Sequence, residues 1–574
     1  MLIDWDVPIE MDDGLVLRAD VFRPTEAGRH PVLLSYGPYG KSLAFQDGYP
    51  SAWQKLAADH PDVTAGSSNK YQAWEVVDPE KWVPYGYAIV RVDSRGAGRS
   101  PGYLDNYSAR ERHDLVACIE WAAAQPWSTG KVGMNGISYY AVNQWHAAAE
   151  RPEALAAICV WEGAADAYRD RVYHGGIRNT YTTDWYDMQV KTVQYGFGAR
   201  GERHPVSGLA AGGDETLSDE ELERNRADLA AEHRGHRLDS AYWRERSVAW
   251  SRVDVPLLTA ANWGGQGLHP RGNVCGFEWA ATPDEDKYLE CHGLEHWTHF
   301  YTDYGRELQR RFFDWYLKGE GDWKQTQPHV LLNVRRPGDR FELRAESEWP
   351  LARTRWTTFW LDAASCALST EPAHREAHVS YRTAGEGVTF RLAAFERETE
   401  LCGPIAAKLF ISSTTADADL FLVVRLFDPD GEEVVFTGAV DPHTPVAQGW
   451  LRASHRKLDA VRTTAFRPYH AHDEIQPLEP GRVYEVDVEI WPTGIVCPPG
   501  HVLALTVQGH DYEWAGEPAR FSNFKHPLRG CGPFLHDDPV DRPPDLFDGI
   551  VTLHTGGIHG AYLLVPVIPS RLGS

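Results

Sequence analysis

Residues 131–150 read KVGMNGISYYAVNQWHAAAE, and the fold follows from how this stretch is parsed. Val132 to Met134 is a short apolar piece, Asn135 and Gly136 break it, Ile137 and Ser138 follow, and Tyr139 to Ala149 carries enough Ala, Gln and Trp for a helix. The parse is a strand, a tight turn and a helix with one serine at the corner. Such a turn pushes the hydroxyl off the sheet edge, and the helix behind it aims backbone N–H groups at any anion formed beside it. Gly136 suits the turn because a side chain two residues before the serine would collide with it. The general G-x-S-x-G pattern is met in part: its second glycine falls at Tyr140, and the nearest small residue after Tyr139 is Ala141.

Outward from this corner the text keeps the same alternation. Upstream, residues 15–22 (LVLRADVF) alternate as a half-buried strand does, and Pro31 to Ser35 is a short buried strand running into the loop Tyr36-Gly37-Pro38-Tyr39-Gly40-Lys41. Tyr87 to Asp93 is a continuous apolar strand followed by Ser94-Arg95-Gly96-Ala97-Gly98-Arg99-Ser100-Pro101-Gly102. The dinucleotide spacing G-x-G-x-x-G fails there at Pro101. A helix over Arg110 to Ala124 leads back to the corner, and Leu155 to Trp161 is a further buried strand that ends at Glu162. Strands and helices alternating in this way predict a mostly parallel sheet covered on both faces, with reactive groups past the strand C-termini. Ser138, Tyr39 and Glu162 hold such positions.

From about Ala165 to Val248 strand signals stop and aromatic helical text takes over, with Ser218 to Glu221 reading as a capping box that opens a helix through about Arg234. An all-helical insertion between sheet strands is expected to form a cap. The sheet resumes at Val255 to Ala261, ending in Asn262-Trp263-Gly264-Gly265, and again at Lys287 to Cys291, whose end carries His292-Gly293-Leu294-Glu295-His296-Trp297-Thr298-His299. Three histidines so close raise a metal reading, but the pattern is not H-E-x-x-H and a loop with Gly and Trp does not present the i, i+4 face of a zincin. No metal and no cofactor is expected. A helix from about Gly305 to Leu317 closes this part; beyond Lys318-Gly319-Glu320-Gly321 short alternating runs punctuated by Gly, Pro and Asp predict a sandwich or jelly roll. The expected layout is an α/β catalytic domain over 1–165 and 249–325, a helical cap over 166–248 and an all-β jelly-roll domain over 326–574.

With 57 basic and 81 acidic side chains the net charge is −24, so nucleic acid and anionic membranes are poor partners. The eight cysteines form no C-x-x-C and are read as reduced thiols. The first residues carry acids where a secretory leader needs a basic and then an apolar run, and no stretch has the ~18 apolar residues of a spanning helix. A soluble cytoplasmic protein is expected, monomeric or homo-oligomeric.

Acyl transfer by a serine needs a base, an acid that orients the base, and donors for the oxyanion. Ser138 supplies the nucleophile and His296 the base, in the chain order of α/β-hydrolases. The sequence resembles the cocaine-esterase and X-prolyl dipeptidyl-peptidase group of serine hydrolases. The likeness is carried by Pro38-Tyr39-Gly40-Lys41, by Asp93 to Ser100, by Trp121 through Gln125-Pro126-Trp127, by Gly136-Ile137-Ser138-Tyr139 and by the His296 strand end. It implies an α/β-hydrolase with a helical cap and a C-terminal jelly roll, an oxyanion hole formed by the Tyr39 hydroxyl and the backbone N–H of Tyr139, and a small ester or amide as substrate. Family members read G-x-S-Y-x-G, so the departure at the elbow is Ala141 for glycine.

A second departure matters more. The family's triad aspartate follows the strand that here is Val255 to Ala261, where this chain has Gly264, and no acid comes until Glu278. Three explanations stand. Glu162, at the neighbouring strand tip, replaces it; Glu295 does, although adjacent residues of an extended loop point apart; or the site works as a Ser-His dyad or not at all. Glu162 is the expected acid. Trp161, Trp263 and Trp185 are expected as aromatic walls for an apolar or aryl substrate. The favoured activity is a serine esterase or amidase. Its rivals are an X-Pro dipeptidyl aminopeptidase, for which Asp166, Asp170 and Asp184 in the cap are candidate ammonium partners, and a catalytically dead carbohydrate-binding protein.

Overall fold

The computed structural model describes residues 1–569. The strand leading into the corner, Ser128–Ile137, is buried over Val132 to Ile137 and lies between parallel neighbours His30–Gly37 and Leu155–Trp161. Burial on both faces explains why these strands read as continuous apolar runs instead of alternating ones. Ala88–Asp93 pairs parallel on the far side of His30–Gly37. Two antiparallel strands, Val16–Arg23 and Leu2–Glu10, finish that edge. On the other side Leu257–Asn262, Lys287–His292 and Val330–Arg336 continue the parallel order. The sequence breaks at 325/326, but the sheet does not. Val330–Arg336 still pairs with Lys287–His292, and its own antiparallel neighbour Arg340–Glu346 extends the sheet once more, because LLNV has apolar residues for both faces.

Each face of the sheet carries its own core. On one, the helices Ala109–Ala123 and Tyr139–Glu150 bring Leu115, Cys118, Ile119, Trp145 and Ala148 against Val32, Leu34, Val90 and Met134. On the other, Phe312 and Phe313 of helix Asp303–Phe313 meet Ile89, Tyr87, Trp82 and Trp297. The Ser218 capping box forms as its sequence predicts, but its helix stops at Arg224 and a separate one, Leu229–Gly235, follows. The insertion expected as a cap, 166–248, is also not all-helical. Tyr173–His174 and Ile177–Arg178 form a small antiparallel hairpin turning at Gly175 and Gly176, where a Cβ on Gly175 would sit 2.0 Å from the Trp450 carbonyl oxygen.

Beyond Arg340–Glu346 the chain is mostly β, with a separate core of Leu401, Ile405, Leu420, Leu422, Val488, Leu505 and Val565. Its longest strands, Thr399–Ser413 and Tyr484–Cys497, pair along most of their length. The turn Asp428 to Gly431 closes a hairpin, with the Gly431 amide bonded to the Asp428 carbonyl and Gly431 at φ +88°. Trp263, Trp349, Leu289, Val330, Cys402 and Val496 seal the seam between the two parts. All eight cysteines are unpaired. No helix among the described residues is long and apolar enough to cross a membrane.

Candidate active site

Ser138 has φ +57° and ψ −112°, a strained left-handed backbone that a nucleophile elbow requires. Its amide donates to the Trp161 carbonyl at 3.1 Å, and its carbonyl accepts from Val142 at 2.8 Å, so the turn is pinned on both sides. A Cβ on Gly136 would lie 2.4 Å from Tyr140 Cβ, which accounts for the glycine two residues upstream. The Tyr140 ring in turn excludes a side chain at Gly37, 2.7 Å away. Ala141 faces Gly163, where a Cβ would lie 3.1 Å from its own, so the glycine leaves room for the alanine.

The loop carrying Tyr39 is fastened through the two motifs that flank it. The buried Lys41 ammonium binds Asp20 at 3.0 Å and Asp6 at 3.2 Å, and the Lys41 amide donates to Asp93. Asp93 also takes the Arg99 amide at 2.8 Å, and burial pushes its carboxyl up to about 7. Gly98 is required there, since a Cβ would fall 2.1 Å from Asp93 Cγ. Thus held, Tyr39 lines one cavity with Ser138, and its hydroxyl accepts from Trp185 Nε1 at 3.0 Å. With that lone pair engaged, the phenolic O–H is free to donate, and burial keeps it protonated by raising its pKa. The Tyr139 amide is the first of its helix and has no intrahelical acceptor. The Tyr139 side chain is anchored away from it, its hydroxyl on Glu111 at 2.8 Å and its ring stacked on Tyr107 at 4.2 Å.

Glu162 does not serve His296. Its Oε1 lies 2.9 Å from His292 Nε2, and Glu290 faces the other ring nitrogen at 2.6 Å. Burial works against a charge on His292, but Glu290 and Glu162 outweigh it and lift its pKa to about 10. Burial likewise raises Glu162, opposed by its bonds to His292 and Asn262. Both ring nitrogens face carboxylates and both must donate, so we read the trio as an imidazolium between two acids. The expectation failed because Glu162, at φ +52°, is turned toward the buried strand end where His292 sits.

The carboxylate that reaches His296 is Glu75, with 3.1 Å between Oε1 and His296 Nε2, short of hydrogen-bond alignment. Glu75 is buried at φ +63°, and its carbonyl accepts the Ile137 amide at 2.9 Å, one residue before Ser138. Burial, then the nearby Glu162, drives its carboxyl well above the usual range, with a bond from Trp74 opposing. Burial and the charge on His292 lower His296 to about 3. Burial thus favours the uncharged form of each partner, raising the acid and lowering the base. Neither ring nitrogen of His296 has an aligned hydrogen-bond partner, and Nδ1 is the one turned away from Glu75. Catalytic hydrogen bonds of this kind commonly tighten only when substrate is bound.

Glu295 points elsewhere, to Thr298 and Lys55. Gly264 cannot carry an acid. A Cβ there would lie 2.2 Å from Gly438 Cα, because a loop of the C-terminal part packs on it. That loop binds the Leu294 amide through Thr437 and the His296 amide through Ala439, and the Ala439 amide binds the Gly264 carbonyl.

Of the three tryptophans, only Trp185 lines the cavity. Trp161 is wholly buried beneath it, stacked on His292 at 5.2 Å, and Trp263 sits in the seam with its Nε1 on the Asn333 carbonyl. Both indoles were needed by the core. The cavity also takes Tyr107, Tyr181, Arg171 and His269, none of which the sequence singles out. Val142, Ala164 and Leu268 form its apolar wall, backed by Val440 and Phe534 of the C-terminal part. The one sequence signal for Glu75 is a lone acid inside the apolar run Ala73-Trp74-Glu75-Val76-Val77, a place where a charge needs a reason. His269, whose ring centroid lies 6.2 Å from that of His296, precedes the helix-opening Pro270 and carried no signal.

The profile of the X-Pro dipeptidyl-peptidase (S15 family) matches residues 13–301, and that of the X-Pro dipeptidyl-peptidase C-terminal non-catalytic domain matches 322–524. A crystal structure of a CocE/NonD family hydrolase from Staphylococcus aureus is 33% identical, with 99% of this chain and 94% of that one covered and a TM-score of 0.83. A cocaine esterase from Rhodococcus sp. is 24% identical over 98% of each chain. A putative serine esterase from Mycobacterium bovis is 22% identical over 93% of this chain and 94% of its own.

Proposed function

Because the chain belongs to the X-Pro dipeptidyl-peptidase (S15) family of serine hydrolases, we propose that it is an esterase whose triad is Ser138, His296 and Glu75. Ser138 Oγ attacks the acyl carbon while His296 takes its proton. The oxyanion receives bonds from the Tyr39 hydroxyl and the Tyr139 amide. His296 then returns the proton to the departing alcohol, and water deacylates the enzyme by the same route in reverse. The Glu75 carboxylate steadies the imidazolium that forms in each step. The observation that carries this reading is the 3.1 Å approach of Glu75 to His296 by a residue whose own carbonyl holds the elbow.

An X-Pro aminopeptidase needs a carboxylate for the substrate's ammonium, and no acid lines the cavity that Ser138 opens into. The candidate acids of the cap are engaged: Asp166 with Arg169, Asp170 with Arg271, and Asp184 with Lys525. This supports the ester over the peptide. The catalytic body, the cap and a C-terminal jelly roll that buttresses the histidine loop complete the proposal. Purified enzyme should turn over an aryl ester much faster than an X-Pro anilide, and Ser138→Ala should lose that turnover while remaining folded. Full activity in the alanine variant would end the proposal.

A further inference from the structure

We propose that Arg171 receives a carboxylate on the acyl part of the substrate, so that the preferred ester is a half-ester of a short dicarboxylic acid. The proposal rests on the serine-hydrolase reading and adds the substrate class. Arg171 lies in the cap, is nine-tenths buried, and lines the same cavity as Ser138. Its two buried neighbours in the cap each have acids: Arg169 pairs with Asp166 and Asp239, and Arg178 with Asp538. Among the described residues no carboxylate comes within ion-pairing distance of Arg171. Its guanidinium has the Arg246 carbonyl at 3.3 Å and lies over the Tyr107 ring at 3.9 Å. The nearby Glu111 is occupied by the Tyr139 hydroxyl and the Tyr107 amide.

An arginine cannot shed its charge, and a buried cation without a counter-charge is costly unless something fills that place. A neutral carbonyl, the Tyr107 hydroxyl and the face of that ring carry no negative charge and compensate only in part. The missing partner is then a ligand group, and a planar carboxylate matches the guanidinium fork. The acyl part remains attached to Ser138 through the intermediate while the alcohol departs. A charge recognised inside the cavity is therefore best used if it is on the acyl side.

The test compares 4-nitrophenyl hemiglutarate with the uncharged 4-nitrophenyl hexanoate. Wild-type enzyme should favour the hemiglutarate in kcat/KM by about tenfold or more, the range of a charge-assisted bond. Arg171→Gln should lower the ratio of the hemiglutarate to the hexanoate kcat/KM by roughly 10- to 100-fold, and Arg171→Lys should restore part of that ratio. A wild-type preference for hexanoate, or equal losses on both esters in Arg171→Gln, would overturn the assignment; the second result would mean that Arg171 only supports Tyr107. Should the variant fail to fold, inhibition of wild-type hexanoate hydrolysis decides. Glutarate should inhibit at least about tenfold more tightly than glutaramide, and equal inhibition overturns the proposal. Failure of the hydrolase reading looks different: neither ester is cleaved and Ser138 resists a fluorophosphonate.

Discussion

Glu75 carries two duties at once: its carbonyl receives the amide of Ile137, and its carboxyl faces the imidazole of His296. Ser138 and His296, the proposed nucleophile and base, are thereby referenced to one residue, in a backbone conformation that costs about 1–3 kcal/mol and persists because its surroundings fix it. Ser138, Glu162 and Leu294 also have positive φ. Glu75→Gln keeps the volume but cannot balance an imidazolium, and kcat/KM should fall by about 10² to 10⁴. The pH profile separates this from misfolding. Serine can give its proton only to an unprotonated His296 whose other nitrogen donates to an ionised Glu75. Since burial raises Glu75, activity in the wild type appears as pH rises through the pair's upper titration. In Glu75→Gln only His296 remains, lowered to about 3, so the acid limb should move to lower pH. An unmoved limb would contradict the pairing. Tyr39→Phe removes one of two oxyanion donors and should cost about 10² to 10³ in kcat with little change in KM.

At the level of elements, the imidazolium trio ties the ends of two parallel strands, Leu155–Trp161 and Lys287–His292, across the one between them. Its contribution is to stability. A histidine lifted to about 10 in the folded state stabilises fully below its unfolded value near 6.5 and loses that contribution as pH rises through about 10. Melting temperature should therefore fall between pH 7 and 10.5 in the wild type and be flatter in His292→Gln; parallel curves would contradict the charge assignment. Strand ends of this kind were readable from sequence, since a buried parallel strand is a continuous apolar run and the elbow has a glycine and a serine at fixed spacing. Which of two acids at such an edge meets which of three histidines was not readable. Glu162 stands at a strand tip, yet backbone direction at that one residue decides its partner. Trp161 and Trp263 also lie near strand ends, but the core claims them.

For the whole molecule, the C-terminal part closes the site as well as following it. Thr437 and Ala439 hold the histidine loop, and Gly438 occupies the space an acid at residue 264 would need. The missing aspartate is thus legible in the sequence but its cause is not, because the cause lies about 170 residues away in the chain and only the folded seam brings it near. Restoring the family residue should fail: Gly264→Asp is expected to lower melting temperature and activity together, since backbone and not a flexible side chain is in the way. A rise in activity with unchanged stability would show that the loop yields.

The proposed triad assigns the activation of Ser138 to the Glu75 carboxylate and not to Glu162. The rate of fluorophosphonate labelling at Ser138 reads that directly, before any question of substrate arises. Labelling should be slowed about 100-fold or more in Glu75→Gln and stay within about threefold of wild type in Glu162→Gln; the reverse order, or labelling that persists in Ser138→Ala, would contradict it.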